Sequence, residues 1–308
     1  MAQRKAGRRA AATRPPARVL ERRRAAFERH FERALGERCR APRRLREAMR
    51  YAALSPGKRL RPLLVLTTCE AVGGKWRAAL PAAVAVECVH AFSLVHDDLQ
   101  ALDDDDYRRG RLTTHKKYGE ALAILAGDAL IAFAFEELTS LGRAGVPPER
   151  VVEALRSLAR ASGGVDLVGG QALDMAAEGE RVEVREVEAI PRRKTGALMG
   201  ACMALGAIAG GADVRRVGAL DRAGRLLGFA FQIHDDLLNA GSSLKRLGKR
   251  AGTDEARGKA TYPKAAGLEA ARRKERLLLR QVGRMMRDNC SGPGLLLALL
   301  AAVAVREK

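Results

Sequence analysis

Aromatic residues make up only 4% of this 308-residue chain, and β-branched residues are few beside Ala and Leu. That balance disfavours sheet and favours helix. No stretch alternates apolar and polar residues over a useful length, and neither Asn-Gly nor Asp-Gly, the strongest hairpin signals, occurs. The five cysteines, Cys39, Cys69, Cys88, Cys202 and Cys290, form no CxxC pair. Their scatter and odd number argue against a zinc site and for reduced thiols in a cytosolic protein. Cys69, Cys88 and Cys202 read as core filling. The longest uninterrupted apolar run, counting glycine, is 196–212 with 17 residues, followed by 294–305 with 12, against about 20 needed to cross a bilayer. No transmembrane segment is expected, and no fixed-period repeat is present.

Acidic residues are missing from the first 18 positions, which contain Arg14-Pro15-Pro16. Residues 1–20 read as a basic, disordered arm ahead of one domain, 21–308. The arm has no apolar segment, so it is not a secretory signal. It shares the Arg- and Ala-rich look of an organelle transit peptide. The same bias runs through the whole chain, so a cytoplasmic location is the main reading and organelle targeting a minor alternative. The net charge is +20, but residues 1–61 hold 20 Lys or Arg against 5 Glu. That leaves +5 for the rest, too little for a nucleic-acid-binding face on the folded part.

What is present is helical periodicity. Apolar residues recur at three- and four-residue steps over 21–36, 43–54, 60–73, 78–101, 118–141, 148–162, 164–177, 184–208, 212–239 and 266–288, and the last apolar run closes the chain. Breakers fall between them, at Ser55-Pro56-Gly57, Gly73-Gly74, Gly145-Val146-Pro147-Pro148 and Gly210-Gly211. The pattern predicts one all-α domain with long central helices.

Three constellations carry chemistry. The first, His96-Asp97-Asp98-Leu99-Gln100-Ala101-Leu102-Asp103-Asp104-Asp105-Asp106-Tyr107-Arg108-Arg109, puts six Asp in ten residues after an apolar helix. Such a cluster repels itself unless a cation neutralises it, and oxygen-only ligands suit Mg²⁺ bridging carboxylates to phosphates. The second, Phe231-Gln232-Ile233-His234-Asp235-Asp236-Leu237-Leu238-Asn239, closes another apolar helix. Two such pairs suggest carboxylates facing one another at the mouth of a helical bundle. The third is cationic: Lys58 and Arg61, Lys194, Lys249 and Lys259 all sit near helix ends or in loops. Metal, fixed cations and an apolar interior describe a site for a diphosphate with a hydrocarbon tail.

These residues fall into ordered motifs: GKRLRP (57–62), HDDLQALDDDDYRRG (96–110), AILAGDAL (123–130), GGQALDM (169–175), KTGAL (194–198), FQIHDDLLN (231–239) and LGKRAGTDEARGKATYP (247–263). In them the chain resembles the trans-polyprenyl diphosphate synthases, of the bacterial farnesyl/geranylgeranyl type, from about Leu20 onward. The resemblance implies an isoprenoid-synthase helical bundle with a central cavity. It implies a homodimer, and condensation of isopentenyl diphosphate with C5 and C10 allylic diphosphates. Asp97, Asp98, Asp103 and Asp235 would hold three Mg²⁺. Arg108, Lys194, Lys249 and Lys259 would grip the allylic diphosphate, and Lys58, Arg61, His90 and Arg109 isopentenyl diphosphate. Thr195 and Gln232 would place oxygen dipoles near the developing cation.

On an ideal helix Asp97 and Asp103 stand about 240° apart, so the helix must end or bend near Ala101. His90 lies about 20° off the face of Asp97, which agrees with a ligand role. Phe92 and Ser93 lie about 7.5 and 6 Å below Asp97 along the axis. An aromatic at 92 resembles the floor of short-chain members, so farnesyl diphosphate (C15) is expected, with geranylgeranyl diphosphate (C20) second. A non-catalytic regulatory homologue is a further alternative, although the first-motif Asp residues are intact. A class I terpene cyclase fits poorly, because Arg246 stands where its last metal-binding Glu would be. The chain departs from the pattern at Asn239, where Asp is usual, and at Gln100, His234 and Pro191.

Overall fold

The computed structural model describes residues 16–179, 183–243 and 261–304. Its order is α1 (Pro16–Arg33), α2 (Arg43–Ala53), α3 (Leu60–Ala71), α4 (Leu80–Asp97), β1 (Tyr107–Arg108), β2 (Arg111–Leu112), α5 (Thr114–Tyr118), α6 (Glu120–Thr139), α7 (Pro148–Ser162) and α8 (Leu167–Ala176). It continues with α9 (Val184–Pro191), α10 (Ala197–Ala209), α11 (Val214–Ser243), α12 (Tyr262–Ala266), α13 (Leu268–Asn289) and α14 (Gly294–Ala304). The all-α expectation holds. α1 starts at Pro16, inside the segment expected to be arm; residues 1–15 lie outside the described ones.

Helices apolar on every side belong in the middle of a bundle. Accordingly α3, α4 and α10 form the centre, with Val65, Leu66, Val84, Val86, Val89, Met199, Met203 and Leu205 wholly buried. α6 packs on α4, and both α7 and α11 pack on α10, with α13 outside α11. α1 closes one side through Phe27 and Phe31, which are one turn apart and stacked at 5.3 Å. The segment Trp76–Asp97 is long and apolar enough to span a bilayer, with mean hydropathy 1.7, yet 72% of it is buried in the protein. Counting uninterrupted runs missed it, because Glu87 and His90 break the run. All five cysteines are free. Burial pushes the Cys69 and Cys202 thiols up to about 12 and raises Cys88 well above its ordinary value, as expected of core filling.

The departures from periodicity cluster where the chain does chemistry. The helix expected over 78–101 is entered by a 3₁₀ turn and ends at Asp97. The chain then folds back, with Asp103 N–H donating to Asp97 O at 2.7 Å and Asp104 left-handed at φ 47. β1 and β2 form a two-residue ribbon that the sequence did not announce, pairing Tyr107 with Leu112 and Arg108 with Arg111. Its turn residues Arg109 and Gly110 both have positive φ. That is hairpin geometry, but Arg is not the residue that signals it. Tertiary bonds hold it instead: Arg109 Nη1 donates to Pro56 O and the Tyr51 hydroxyl to Leu112 O, each at 2.7 Å.

The helix expected over 184–208 is α9 and α10 joined by a π turn, Arg192–Gly196. Pro191 has no N–H to donate up the helix, and the wider turn follows it directly. Gly119 and Gly267, at φ 89 and 87, separate α5 from α6 and α12 from α13. Apolar spacing alone predicts continuous helix across the first of these breaks and sets the other two a residue or two away. Gly127 lets α4 and α6 meet: a Cβ there would overlap the ring of His96. That ring also lies 3.2 Å from Ile124 O.

Candidate active site

One pocket opens beside the end of α4. Arg59, Glu87, His90, Asp98, Arg108 and Arg109 line it, with Thr113 and Thr114 from the ribbon's far side. Asp98, only 3% exposed, accepts from Arg108 Nε at 2.6 Å. Burial pushes its carboxyl up to about 6, although Arg108 pulls the other way. Arg108 also reaches Asp105, 3.5 Å away. His90 is pushed well below its ordinary value, first by burial and then by Arg61, Arg109, Arg108 and Arg59. It is therefore a neutral hydrogen-bonding group in a nest of guanidinium charge. Such a nest is costly when empty and suits a polyanion. Arg61 is half-buried and Lys58 exposed. The expected His90–Arg109 pairing in one pocket is found. Arg108 shares that pocket rather than standing with Lys194.

A second pocket lies across α8, the π turn and α11. Lys194 Nζ is held 2.9 Å from Asp174 Oδ2 on α8. Thr195 Oγ1 donates to Gln232 Oε1 at 3.2 Å, and Gln232 Nε2 donates to Asp236 Oδ1 at 3.0 Å. The expected Lys194–Thr195–Gln232 trio is thus brought together by the π turn. Asp174 and Asp236 join it unannounced. Their signals were present, since Asp174 lies in GGQALDM and Asp236 is four residues after Gln232, on the same helix face. Lys249 and Lys259 lie outside the described residues.

Asp97, Asp103 and Asp235 are half-buried and Asn239 is exposed. His234 turns to α13, its Nδ1 2.8 Å from Glu275 Oε1, which gives the unusual histidine a packing role. Phe92 is 8% exposed and meets His96 edge-on at 5.1 Å. It is not among the side chains lining either pocket. Ser93 Oγ donates to His90 O at 2.9 Å. Further along the Asp-rich loop, a carboxylate oxygen each of Asp104 and Asp106 and a ring nitrogen of His115 lie within 4.8 Å of one another. Lys116 also pairs with Asp106, at 2.8 Å.

Residues 42–291 match the family model for polyprenyl synthetase. The chain belongs to the polyprenyl synthetase family. It is 40% identical over 271 residues to a farnesyl diphosphate synthase of Geobacillus stearothermophilus, covering 88% of this chain and 91% of that one. It is 44% identical over 248 residues to geranylgeranyl pyrophosphate synthase 11 of Arabidopsis thaliana, covering 80% and 70%. Its fold is similar to a solved FPP/GFPP synthase from Zymomonas mobilis, with TM-score 0.81 and 38% identity over 93% of this chain and 99% of that one. It is also similar to a geranylgeranyl pyrophosphate synthetase from Pyrococcus horikoshii, with TM-score 0.83 and 32% identity over 95% and 98%. This family member is a short-chain prenyltransferase, all-α and Mg²⁺-dependent. The donor set fits that ion: the carboxylates are oxygen ligands, and buried Asp98 is one whose charge the surroundings leave undersupported.

Proposed function

We propose that the enzyme condenses isopentenyl diphosphate with C5 and C10 allylic diphosphates and stops at farnesyl diphosphate. One observation supports the two-substrate reading: two pockets, each built on its own cations and its own helices, which suits one diphosphate apiece. The pocket of His90 and Arg109 is assigned to isopentenyl diphosphate, with Lys58 and Arg61, from the segment beside Arg59, as further ligands. That of Lys194, Thr195 and Gln232 is assigned to the allylic partner, and Lys249 and Lys259, outside the described residues, are assigned to the same diphosphate by their motif. Arg108, bonded to Asp98, ties the carboxylate cluster to the first pocket. Asp97, Asp98, Asp103 and Asp235 are assigned three Mg²⁺, which when bound neutralise charge on the leaving diphosphate.

The reaction follows from these placements. The allylic carbon–oxygen bond ionises, and its electrons leave with the diphosphate. Lys194, steadied by Asp174, binds that diphosphate. Thr195 and Gln232 turn oxygen dipoles toward the allylic cation. The isopentenyl double bond attacks it, forming the new carbon–carbon bond. A proton then leaves the adjacent carbon, and the departed diphosphate accepts it, since no side chain stands out as a base. The apolar bundle interior keeps water from the cation. Phe92, five residues before Asp97, is assigned as the floor that stops growth at C15. The C20 product is the second reading, favoured by the likeness to geranylgeranyl synthases.

A homodimer is proposed through α6, a mostly apolar helix that leaves Ile124 and Leu125 39% and 54% exposed. The site of action is proposed to be the cytoplasm. Incubating the enzyme with Mg²⁺, isopentenyl diphosphate and each of the C5, C10 and C15 starters, and weighing the products, tests the reaction. Sedimentation tests the dimer. A C15 product that stops there supports the floor, C20 removes it, and no elongation by folded enzyme removes the assignment.

A further inference from the structure

Arg59, the middle cation of Gly57-Lys58-Arg59-Leu60-Arg61, has no role in the reading above. Its backbone is left-handed, φ 50 and ψ 38, immediately before α3. A non-glycine residue stays in that region only where its surroundings over-determine it. Here they do. Arg59 is 7% exposed, and its Nη1 donates to Glu87 Oε1 at 2.7 Å and to Ala53 O at 3.2 Å. Its Nε is 3.7 Å from the Glu28 carboxylate, and its guanidinium lies over the Phe31 ring at 5.8 Å. Glu87 is 5% exposed and sits on α4 three residues before His90, so the two share a helix face. Both line the pocket of Arg109.

The same loop is pinned a second time. Arg109 Nη1 donates to Pro56 O, and a Cβ on Gly57 would collide with that guanidinium. The segment 56–61 is therefore fastened to α4 through Arg59–Glu87 and to the ribbon turn through Arg109. It carries Lys58 and Arg61. Glu87 also offsets charge: it favours the charged form of Arg109, whereas Arg59, Arg108 and Arg61 oppose it.

We infer that the buried Glu87–Arg59 ion pair is a positioning device for the isopentenyl diphosphate pocket, setting Lys58, Arg61, His90 and Arg109 in place before substrate arrives. The inference rests on the assignment of that pocket made above. Neither residue need touch substrate. The allylic pocket stands on α8, the π turn and α11 and shares no lining residue with this one, so the pair acts on one substrate only.

The test uses the full chain and steady-state kinetics with isopentenyl and geranyl diphosphates varied separately. For Glu87→Gln and for Arg59→Lys, the KM for isopentenyl diphosphate rises roughly 10- to 100-fold, the range for loss of a partner that orients a binding group. The KM for geranyl diphosphate changes less than about twofold, and kcat at saturation falls little. The double variant is no worse than the poorer single one, because the two residues act as a unit. A rise in both KM values, a fall confined to kcat, or additive single effects overturns the inference. Failure of both single variants to fold overturns it too, by making the pair a core strut. Lys58→Ala separates the two levels. If it leaves the isopentenyl KM unchanged, the pocket assignment fails and takes the inference with it. If it raises that KM while Glu87→Gln does not, the positioning role alone fails.

Discussion

Phe92→Ala should lengthen the product by about one five-carbon unit. Phe92 stands five residues before Asp97 on α4, about 7.5 Å down the axis. One turn deeper on the same side is Cys88, wholly buried. It lies four residues, or about 6 Å, further from the carboxylates. Removing the ring moves the first obstacle by that distance, which is room for roughly one isoprene unit. The cost to the fold is that of losing a buried aromatic, about 3–5 kcal/mol, together with its edge-on contact to His96. Assays therefore belong well below the melting temperature, with Phe92→Leu as a milder control. Mass spectrometry of the products from geranyl diphosphate gives the readout. Wild type is expected to end at C15, Phe92→Ala at C20, and Phe92→Leu to give a mixture of the two. A folded, active Phe92→Ala enzyme with an unchanged product would refute the floor, and would leave Phe92 as core packing.

Four further outcomes follow from the site. Chelation by EDTA should abolish turnover and Mg²⁺ restore it; turnover that survives thorough chelation would contradict the carboxylate assignment. Asn239→Asp should lower the Mg²⁺ concentration at half-maximal rate by adding a negative oxygen ligand, and superimposable titrations would rule this out. His90 has its folded pKa depressed below 6.5, so the unfolded chain gains a proton first as pH falls. Stability contributed by neutral His90 is then full above pH 6.5 and declines below it, by up to about 1.4 kcal/mol per pH unit. His90→Gln should flatten part of that slope in pH-dependent denaturation. His30, also depressed by burial, keeps its own share, and an unaltered slope in the variant would count against a buried neutral His90. Gly127→Ala should displace His96 and cost about 1–3 kcal/mol in urea denaturation, the usual penalty for overpacking; an unchanged midpoint would show that the ring has room to move.

Much of this protein was legible in the residues themselves. Helix identity and the bundle class follow from apolar spacing, because a helix that is apolar all round, like α10, has nowhere to go but the centre. The acidic cluster was legible because six Asp in ten residues need a cation. Lys194, Thr195 and Gln232 were legible through ordered motifs. His90 was legible through the family resemblance, with which its helical spacing, seven residues from Asp97, agrees.

Other features depend on partners distant in sequence. The ribbon after the Asp-rich loop turns on Arg109, whose left-handed backbone no local rule favours; bonds to Pro56 and from Tyr51 hold it. Arg108 reads as a diphosphate ligand in the motif, and the fold adds its bonds to Asp98 and Asp105. Asp174 lies in the GGQALDM motif, but its partner is known only once the π turn brings Lys194 to it. His234, an oddity in the motif, makes sense only once α13 supplies Glu275. Sequence by itself determined which helices form and which residue types the chemistry needs, because periodicity and charge density are local properties. Tertiary structure decided which carboxylate meets which cation, because those pairs join residues up to a hundred positions apart, and only packing of the apolar faces brings them within hydrogen-bond reach.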